Sequence, residues 1–166
     1  MRGPRSLSHV GEAGDARMVD VGRKRATVRV ARAEAVVRVG PDVARLLRQT
    51  GGVAKGGVLE TARIAGIMAA KRTSELIPMC HPLALDVVEI AAELTTTGVR
   101  LESRVRCRGV TGVEMEALTA VSVAALTVYD MCKSREKGIT IERVRLLEKA
   151  GGKSGRWVAD ADRRRA

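Results

Sequence analysis

Aromatic residues are almost missing from this sequence. Its 166 residues include no Phe, one Trp and one Tyr, so the hydrophobic core must be built from Ala, Val, Leu, Ile and Met. Small aliphatic side chains let helices and strands approach closely, but each buries less apolar area than an aromatic ring does. Self-association would bury further surface and would suit such a core, although composition alone does not establish it.

Cysteine and long hydrophobic runs are scarce as well. The three cysteines, Cys80, Cys107 and Cys132, are odd in number and widely spaced, which argues against a disulfide scaffold and a zinc module. The N-terminus has no long apolar run and carries acidic residues, unlike a targeting peptide. The most apolar stretch, residues 117–128, is too short to cross a bilayer. We therefore predict a cytoplasmic protein with no membrane association and no metal site.

Positive charge is in clear excess. The chain has 30 Lys and Arg against 19 Asp and Glu, a formal net charge of +11. Such a surplus attracts anions, whether nucleic acid, acidic lipids or phosphorylated metabolites. A general compositional preference for Arg, as in the run at 163–165, explains part of it equally well. Charge alone does not choose between these interpretations.

The distribution of hydrophobic residues predicts one domain between two tails. Residues 1–17 lack periodicity and are predicted to form a disordered tail, residues 18–155 a single domain, and residues 156–166 a charged tail. The periodicities predict strands at 27–39, 83–94, 99–107 and 139–147, and helices at 41–49, 60–76 and 112–133. This order indicates an α+β fold of the ferredoxin-like split β-α-β type, an antiparallel sheet with helices packed on one face.

Asp130 is the most informative single residue. The predicted helix has no charge between residues 117 and 129, so it should be buried nearly all round. A carboxylate in its last turn opposes the helix dipole and needs a partner, and Lys133 lies three residues on, on the same face. The pair is either a structural ion pair or an acid–base couple with shifted pKa values, shielded from water.

Two further segments carry candidate chemistry. Prolines at 78 and 82 stiffen the loop around His81, which holds the imidazole at a set angle. Lys55 lies among four glycines before a helix, as in a phosphate-binding loop. A structural histidine and a plain flexible connector are the ordinary alternatives for these two segments.

Together these segments resemble a known family. The similarity lies in residues 61–83 (TARIAGIMAAKRTSELIPMCHPL), 111–133 (TGVEMEALTAVSVAALTVYDMCK), 143–155 (RVRLLEKAGGKSG), MVDV at 18–21 and TVR at 27–29. They resemble the cyclic pyranopterin monophosphate synthase family, protein C of molybdenum cofactor biosynthesis. The two long segments are highly specific. In place of the family's Lys-Gly-Asp loop, this chain has Gly57 at the third position.

The resemblance implies a specific activity and assembly. Family members convert (8S)-3′,8-cyclo-7,8-dihydroguanosine 5′-triphosphate, which a partner radical enzyme makes from GTP, into cyclic pyranopterin monophosphate and pyrophosphate. They are homohexamers, trimers of dimers, with active sites at a subunit interface. The resemblance implies no cofactor and leaves a requirement for Mg²⁺ open.

It also implies roles for particular residues. The catalytic residues carried over are Asp130, Lys133 and Lys55. The substrate-binding residues carried over are Arg29, Met79, Cys80, His81, Met115, Glu116, Lys149 and Lys153.

Two alternatives remain at this stage. A basic ferredoxin-like nucleic-acid-binding domain would explain the charge, but such sheets stack bases on exposed aromatic side chains, which this chain lacks. A catalytically inactive paralogue would lack the acid–base pair, whereas Asp130 and Lys133 are both present.

Overall fold

A five-stranded antiparallel sheet with helices against one face forms the framework of the protein. The computed structural model describes residues 14–54 and 56–160. The elements in chain order are β1 Thr27–Arg38, α1 Pro41–Thr50, β2 Gly52–Val53, β3 Gly56–Gly57, α2 Val58–Lys71, α3 Thr73–Leu76, β4 Val87–Leu94, β5 Gly98–Gly109, α4 Glu114–Cys132, β6 Thr140–Ala150 and β7 Trp157–Val158. The sheet order is β4-β5-β1-β6-β7, while β2 and β3 form a separate small hairpin. The predicted α+β fold is confirmed.

The core lies between the sheet and the helices and is built from small residues. Alternate residues of β1, from Ala31 to Val37, are fully buried against α4. α2 packs closely on α4 because Gly66 has no side chain, and a Cβ there would overlap Ile90 and approach the backbone of Ala120. The small-residue composition therefore produces the close packing that it predicted.

The long apolar helix is less buried than the sequence indicated. Leu126 on α4 is 58% exposed, so the expectation of burial nearly all round is wrong on that face. By length and hydropathy α4 could also cross a membrane, yet 56% of its most apolar window is buried inside the fold. The core helix of a soluble protein meets the same criterion.

Three other differences from the predicted elements affect the site. The helix expected at 60–76 is divided into α2 and α3 at Arg72, where the Thr73 hydroxyl donates to the carbonyls of Ala69 and Ala70. The strand expected from residue 83 begins only at Val87, which leaves the preceding residues free to form a loop beside α4. A strand, β7, pairs with the end of β6 in a segment predicted to be tail.

The face of the sheet away from the helices carries a network of charges. Glu34 on β1 is 3% exposed and accepts from Arg100 Nε of β5 at 3.1 Å and Arg145 Nε of β6 at 2.7 Å. Arg143 lies 3.3 Å from the same carboxylate. These ion pairs link the three central strands.

Candidate active site

The candidate residues form two groups at opposite ends of α4. The group at its start contains Met79, Cys80, His81, Met115, Glu116, Arg29, Lys149 and Lys153. The group at its end contains Asp130 and Lys133. A third predicted residue, Lys55, lies outside the described residues.

A half-open cavity lies beside the first turn of α4. Its volume is about 310 Å³, and its lining includes Cys80 and His81 from the proline-stiffened loop and Met115 and Glu116 from the helix. The loop has no regular secondary structure, and both His81 and Cys80 are half-buried. Burial and the nearby charge of Glu116 raise the pKa of the Cys80 thiol, so it is a poor nucleophile.

Glu116 is the most perturbed acid in this cavity. It is 4% exposed, and burial raises its pKa above the ordinary value, with a further contribution from the charge of Glu114. A raised pKa favours the protonated acid, which is the form that can donate a hydrogen bond.

A larger and strongly basic cleft adjoins this cavity. It encloses about 760 Å³ and is lined by six cations: Arg23, Lys24, Arg25, Arg29, Lys149 and Lys153. Glu114 is the one carboxylate among the described lining residues and lies 2.9 Å from Lys149 Nζ. Lys24, Thr111, Gly112 and Glu114 line both spaces, so the cleft and the cavity adjoin along these residues. A ligand with a polyphosphate and a ring could occupy both at once.

Part of this cleft has no distinctive signal in the sequence. Arg23, Lys24 and Arg25 lie one residue after the MVDV segment and form the densest basic run before β1. A run of charge is usually a solvated surface, so only the fold shows that it faces Lys149 and Lys153.

The Asp130–Lys133 pair forms as expected at the other end of α4. Lys133 Nζ lies 2.6 Å from Asp130 Oδ1, and this hydrogen bond and charge raise the pKa of Lys133. Lys133 is therefore an ammonium group at neutral pH. The expected shielding from water is wrong for the single chain, because the side chains of Lys133 and Asp130 are 56% and 57% exposed.

A glycine-lined depression lies near this pair. It has a volume of about 510 Å³ and is formed by the β2–β3 hairpin together with Arg135, two residues after Lys133. Gly56 adopts a φ of 111°, a left-handed conformation that glycine tolerates. The hairpin on either side of residue 55 therefore lies at the same end of α4 as Asp130.

Metal ligation finds no support in the residues described. Within 14–54 and 56–160, no group of three or more His, Cys, Asp or Glu side chains could hold a metal ion.

Comparison with known proteins gives this arrangement a context. Residues 18–152 match the MoaC family. The chain belongs to that family. It is 56% identical over 157 residues to a cyclic pyranopterin monophosphate synthase of Methylobacterium sp. (strain 4-46), covering 93% of this chain and 98% of that protein. It is 60% identical over 149 residues to molybdenum cofactor biosynthesis protein 1 of Drosophila melanogaster, covering 89% of this chain but 26% of that much longer protein.

The family assignment agrees with the resemblance drawn from the residues. The matched range of this MoaC chain contains all the candidate residues of both groups except Lys153, which lies one residue beyond it. The two alternatives from the sequence receive no support from these relatives.

Proposed function

We propose that this protein is a cyclic pyranopterin monophosphate synthase. It would convert (8S)-3′,8-cyclo-7,8-dihydroguanosine 5′-triphosphate to cyclic pyranopterin monophosphate with release of pyrophosphate, acting as a phosphorus–oxygen lyase in molybdenum cofactor biosynthesis. The observation that carries the proposal is the 56% identity to a synthase across nearly the full length of both chains.

The basic cleft is the site proposed for the triphosphate. Arg29, Lys149 and Lys153 were carried over by resemblance, and the geometry adds Lys24 as a residue shared with the adjoining cavity. Cations held around a departing pyrophosphate stabilise the charge that develops on it. Lys55 would contribute to the same binding from the glycine hairpin of a neighbouring protomer, because in its own chain that hairpin lies at the opposite end of α4.

The cavity at the start of α4 is proposed to hold the purine-derived ring. His81 and Glu116 line it, and Met79, Cys80 and Met115 supply its apolar walls. Glu116 would donate a hydrogen bond to the ring because burial raises its pKa. Ring opening and pyrazine ring closure both need proton transfer, which we assign to Asp130 and Lys133.

The two groups are too far apart to serve one ligand within one chain. Glu116 and Asp130 are 14 residues apart on one helix, about 21 Å at roughly 1.5 Å per residue. We propose that the start of α4 in one protomer meets the end of α4 in another, within a homohexamer built from three dimers. Such a contact would also cover Asp130 and Lys133, which are exposed in the single chain.

The exposed apolar residues of the helical layer support self-association. Ile64 and Met68 of α2 are 52% and 49% exposed, and Leu126 of α4, one turn before Asp130, is 58% exposed. Apolar surface of this kind beside a candidate site is typical of a protein interface. A dimer would bury it next to the acid–base pair.

A radical enzyme acting on GTP would supply the substrate, and the reaction would take place in the cytoplasm. No cofactor is proposed; Mg²⁺ on the phosphates is a matter for measurement with and without a chelator.

The decisive experiment mixes two inactive variants. Asp130→Asn and Lys149→Ala are each expected to abolish pyrophosphate release from the cyclised triphosphate while leaving the oligomer intact. If sites are shared, unfolding and refolding the two together restores up to about one quarter of the sites, because random mixing gives half mixed dimers with one intact site each. A matched mixture of Asp130→Asn with Lys133→Ala should restore none, since both changes lie in the same half-site.

The outcomes separate the parts of the proposal. No turnover by the unaltered protein would remove the proposed function. Turnover retained in both Asp130→Asn and Lys133→Ala would remove the acid–base assignment. Inactivity of every mixture, with mixed oligomers demonstrated by light scattering and tagging, would remove the shared site alone.

A further inference from the structure

The side chain of Arg29 is held from one side by two backbone carbonyls. Arg29 Nε donates to the carbonyl of Gly109 at 3.3 Å, and Nη2 donates to that of Val110 at 3.2 Å. The first carbonyl belongs to the last residue of β5, and the second belongs to the connection from β5 to α4, beside the shared part of the cleft and the cavity. A guanidinium has further N–H donors left for an anion after these two bonds.

A glycine pair closes on Arg29 from the other side. Gly151 and Gly152 follow β6 with φ values of 100° and 71°, in the left-handed region that favours glycine. A Cβ at Gly152 would overlap Nη1 and Cζ of Arg29, whereas a Cβ at Gly151 would overlap the carbonyl oxygen of Val28. No side chain fits at Gly152 while Arg29 keeps its place, and none fits at Gly151 without a shift of the backbone at Val28.

We propose that Gly152 is a positioning residue that fixes the Arg29 guanidinium in the basic cleft. This rests on the proposed function in one respect, that Arg29 binds phosphate groups of the substrate. With Nη1 against Gly152 and the other two nitrogens on carbonyls, the guanidinium plane is set before a ligand arrives. A preorganised donor binds an anion more tightly because it does not have to be ordered on binding.

The test is Gly152→Ala, with Gly155→Ala as its matched control. Gly155 lies in the same segment with a φ of 66°, and a Cβ there would meet nothing within 4 Å. Both substitutions therefore place alanine in a left-handed conformation, but only one displaces Arg29. Calorimetry with tripolyphosphate should show about 10- to 100-fold weaker binding for Gly152→Ala, the loss of a charge-assisted hydrogen bond, and a change within about twofold for Gly155→Ala.

A second variant separates positioning from a general structural effect. Arg29→Lys keeps the charge but removes the guanidinium atoms that a Cβ at Gly152 would overlap. In that background Gly152→Ala should cost no more than about twofold further, because the two changes act through one contact. If Gly152→Ala alone fails to fold, the double variant Arg29→Lys/Gly152→Ala must fold, because the overlap between the new Cβ and the guanidinium is then relieved.

Several results would overturn the inference. These are equal losses for Gly152→Ala and Gly155→Ala, the full loss persisting in the Arg29→Lys background, a double variant that does not fold, or no tripolyphosphate binding by the unaltered protein. The binding comparison needs no turnover. The inference and the proposed function can therefore fail separately.

Discussion

Replacing Glu34 by Gln removes one charge from the centre of the sheet's open face. The carboxylate is 3% exposed and accepts hydrogen bonds from Arg100 and Arg145, with Arg143 3.3 Å away. Glutamine keeps the shape and one acceptor oxygen but loses the charge. The three arginines then face one another without their shared anion.

The expected cost is about 2–3 kcal/mol of unfolding free energy at pH 7. A hydrogen bond to a charged group contributes roughly 1.5–3 kcal/mol, and two such bonds are weakened. The arginine side chains are between 32% and 53% exposed, so water compensates part of the loss. The net effect is therefore nearer to one such bond than to two.

Urea unfolding at fixed protein concentration measures this cost, since self-association would make stability concentration-dependent. Glu89→Gln is the matched control: it also loses a partner arginine, Arg104 at 3.2 Å, but its side chain is 60% exposed. The control should change stability by less than about 0.5 kcal/mol.

The pH dependence gives a second criterion. Burial alone would raise the pKa of Glu34, but the hydrogen bonds from Arg145 and Arg100 outweigh it, and the pKa lies below the ordinary value. The stabilisation by Glu34 is thus complete above the pKa of an unfolded Glu, about 4.3, and is lost as the pH falls through the lower folded value. The quantity to compare is the difference in unfolding free energy between the unaltered protein and Glu34→Gln. A difference below about 1 kcal/mol at pH 7, or one that stays the same down to pH 3 (roughly one unit below the unfolded pKa), would refute the role assigned to Glu34.

Three shorter predictions concern the core and the cavity. Glu116→Gln should raise the melting temperature, and the increase should be larger above pH 7 than at pH 5. The reason is that a buried acid with a raised pKa costs folding free energy once it ionises. An equal or opposite change at the two pH values would contradict the raised pKa. Gly66→Ala should lower stability by about 1–3 kcal/mol despite the better helix propensity of alanine, since its Cβ would overlap Ile90. Scanning calorimetry measures the change, and stabilisation would mean that α2 can move away from α4. Ser103→Ala should cost about 1 kcal/mol in urea, because the buried hydroxyl donates to the Ala117 carbonyl at 2.8 Å; no change would mean that the bond contributes nothing.

Alternating and apolar patterns predicted the central elements well. The regular alternation along β5 was predicted to within two residues of its ends, and α4 was predicted from its charge-free run. These signals are strong because each element has one buried face or lies largely in the core. The interruption at Arg72 was missed because residues on both sides favour helix, and the break depends on a Thr73 side-chain contact.

The two-residue strand β7 had no detectable sequence signal. Trp157 and Val158 form it only because the end of β6 offers an unpaired edge. Likewise, Leu83 and Leu85 pack on the core with the alternation of a strand, yet pairing of β4 with β5 begins only at Val87 opposite Arg106. Pairing partners are a tertiary property, which a local pattern does not contain.

For the site, residue types were predictable but their grouping was only partly so. The spacing of Asp130 and Lys133 fixes their contact, because residues three apart share one face of a helix. The exposure of this pair was not predictable, since it depends on what lies beyond the last turn of α4. The approach of Arg23 and Lys24 to Lys149 depends on the order of strands and is visible only in the fold.

The close contact at Gly66 has a consequence for how the two proposed half-sites are spaced. α2 leads from the glycine hairpin, near Arg135, towards the loop that carries His81 at the start of α4. Because the two helices pack tightly against each other, they hold the two groups of proposed site residues at a fixed separation. Inserting one residue into α4 after Ala124 would turn Asp130 by about 100° and advance it about 1.5 Å, which no side-chain rotation can undo. On the proposed division of the site, the length of this helix pair matters as much as the charged groups at its ends.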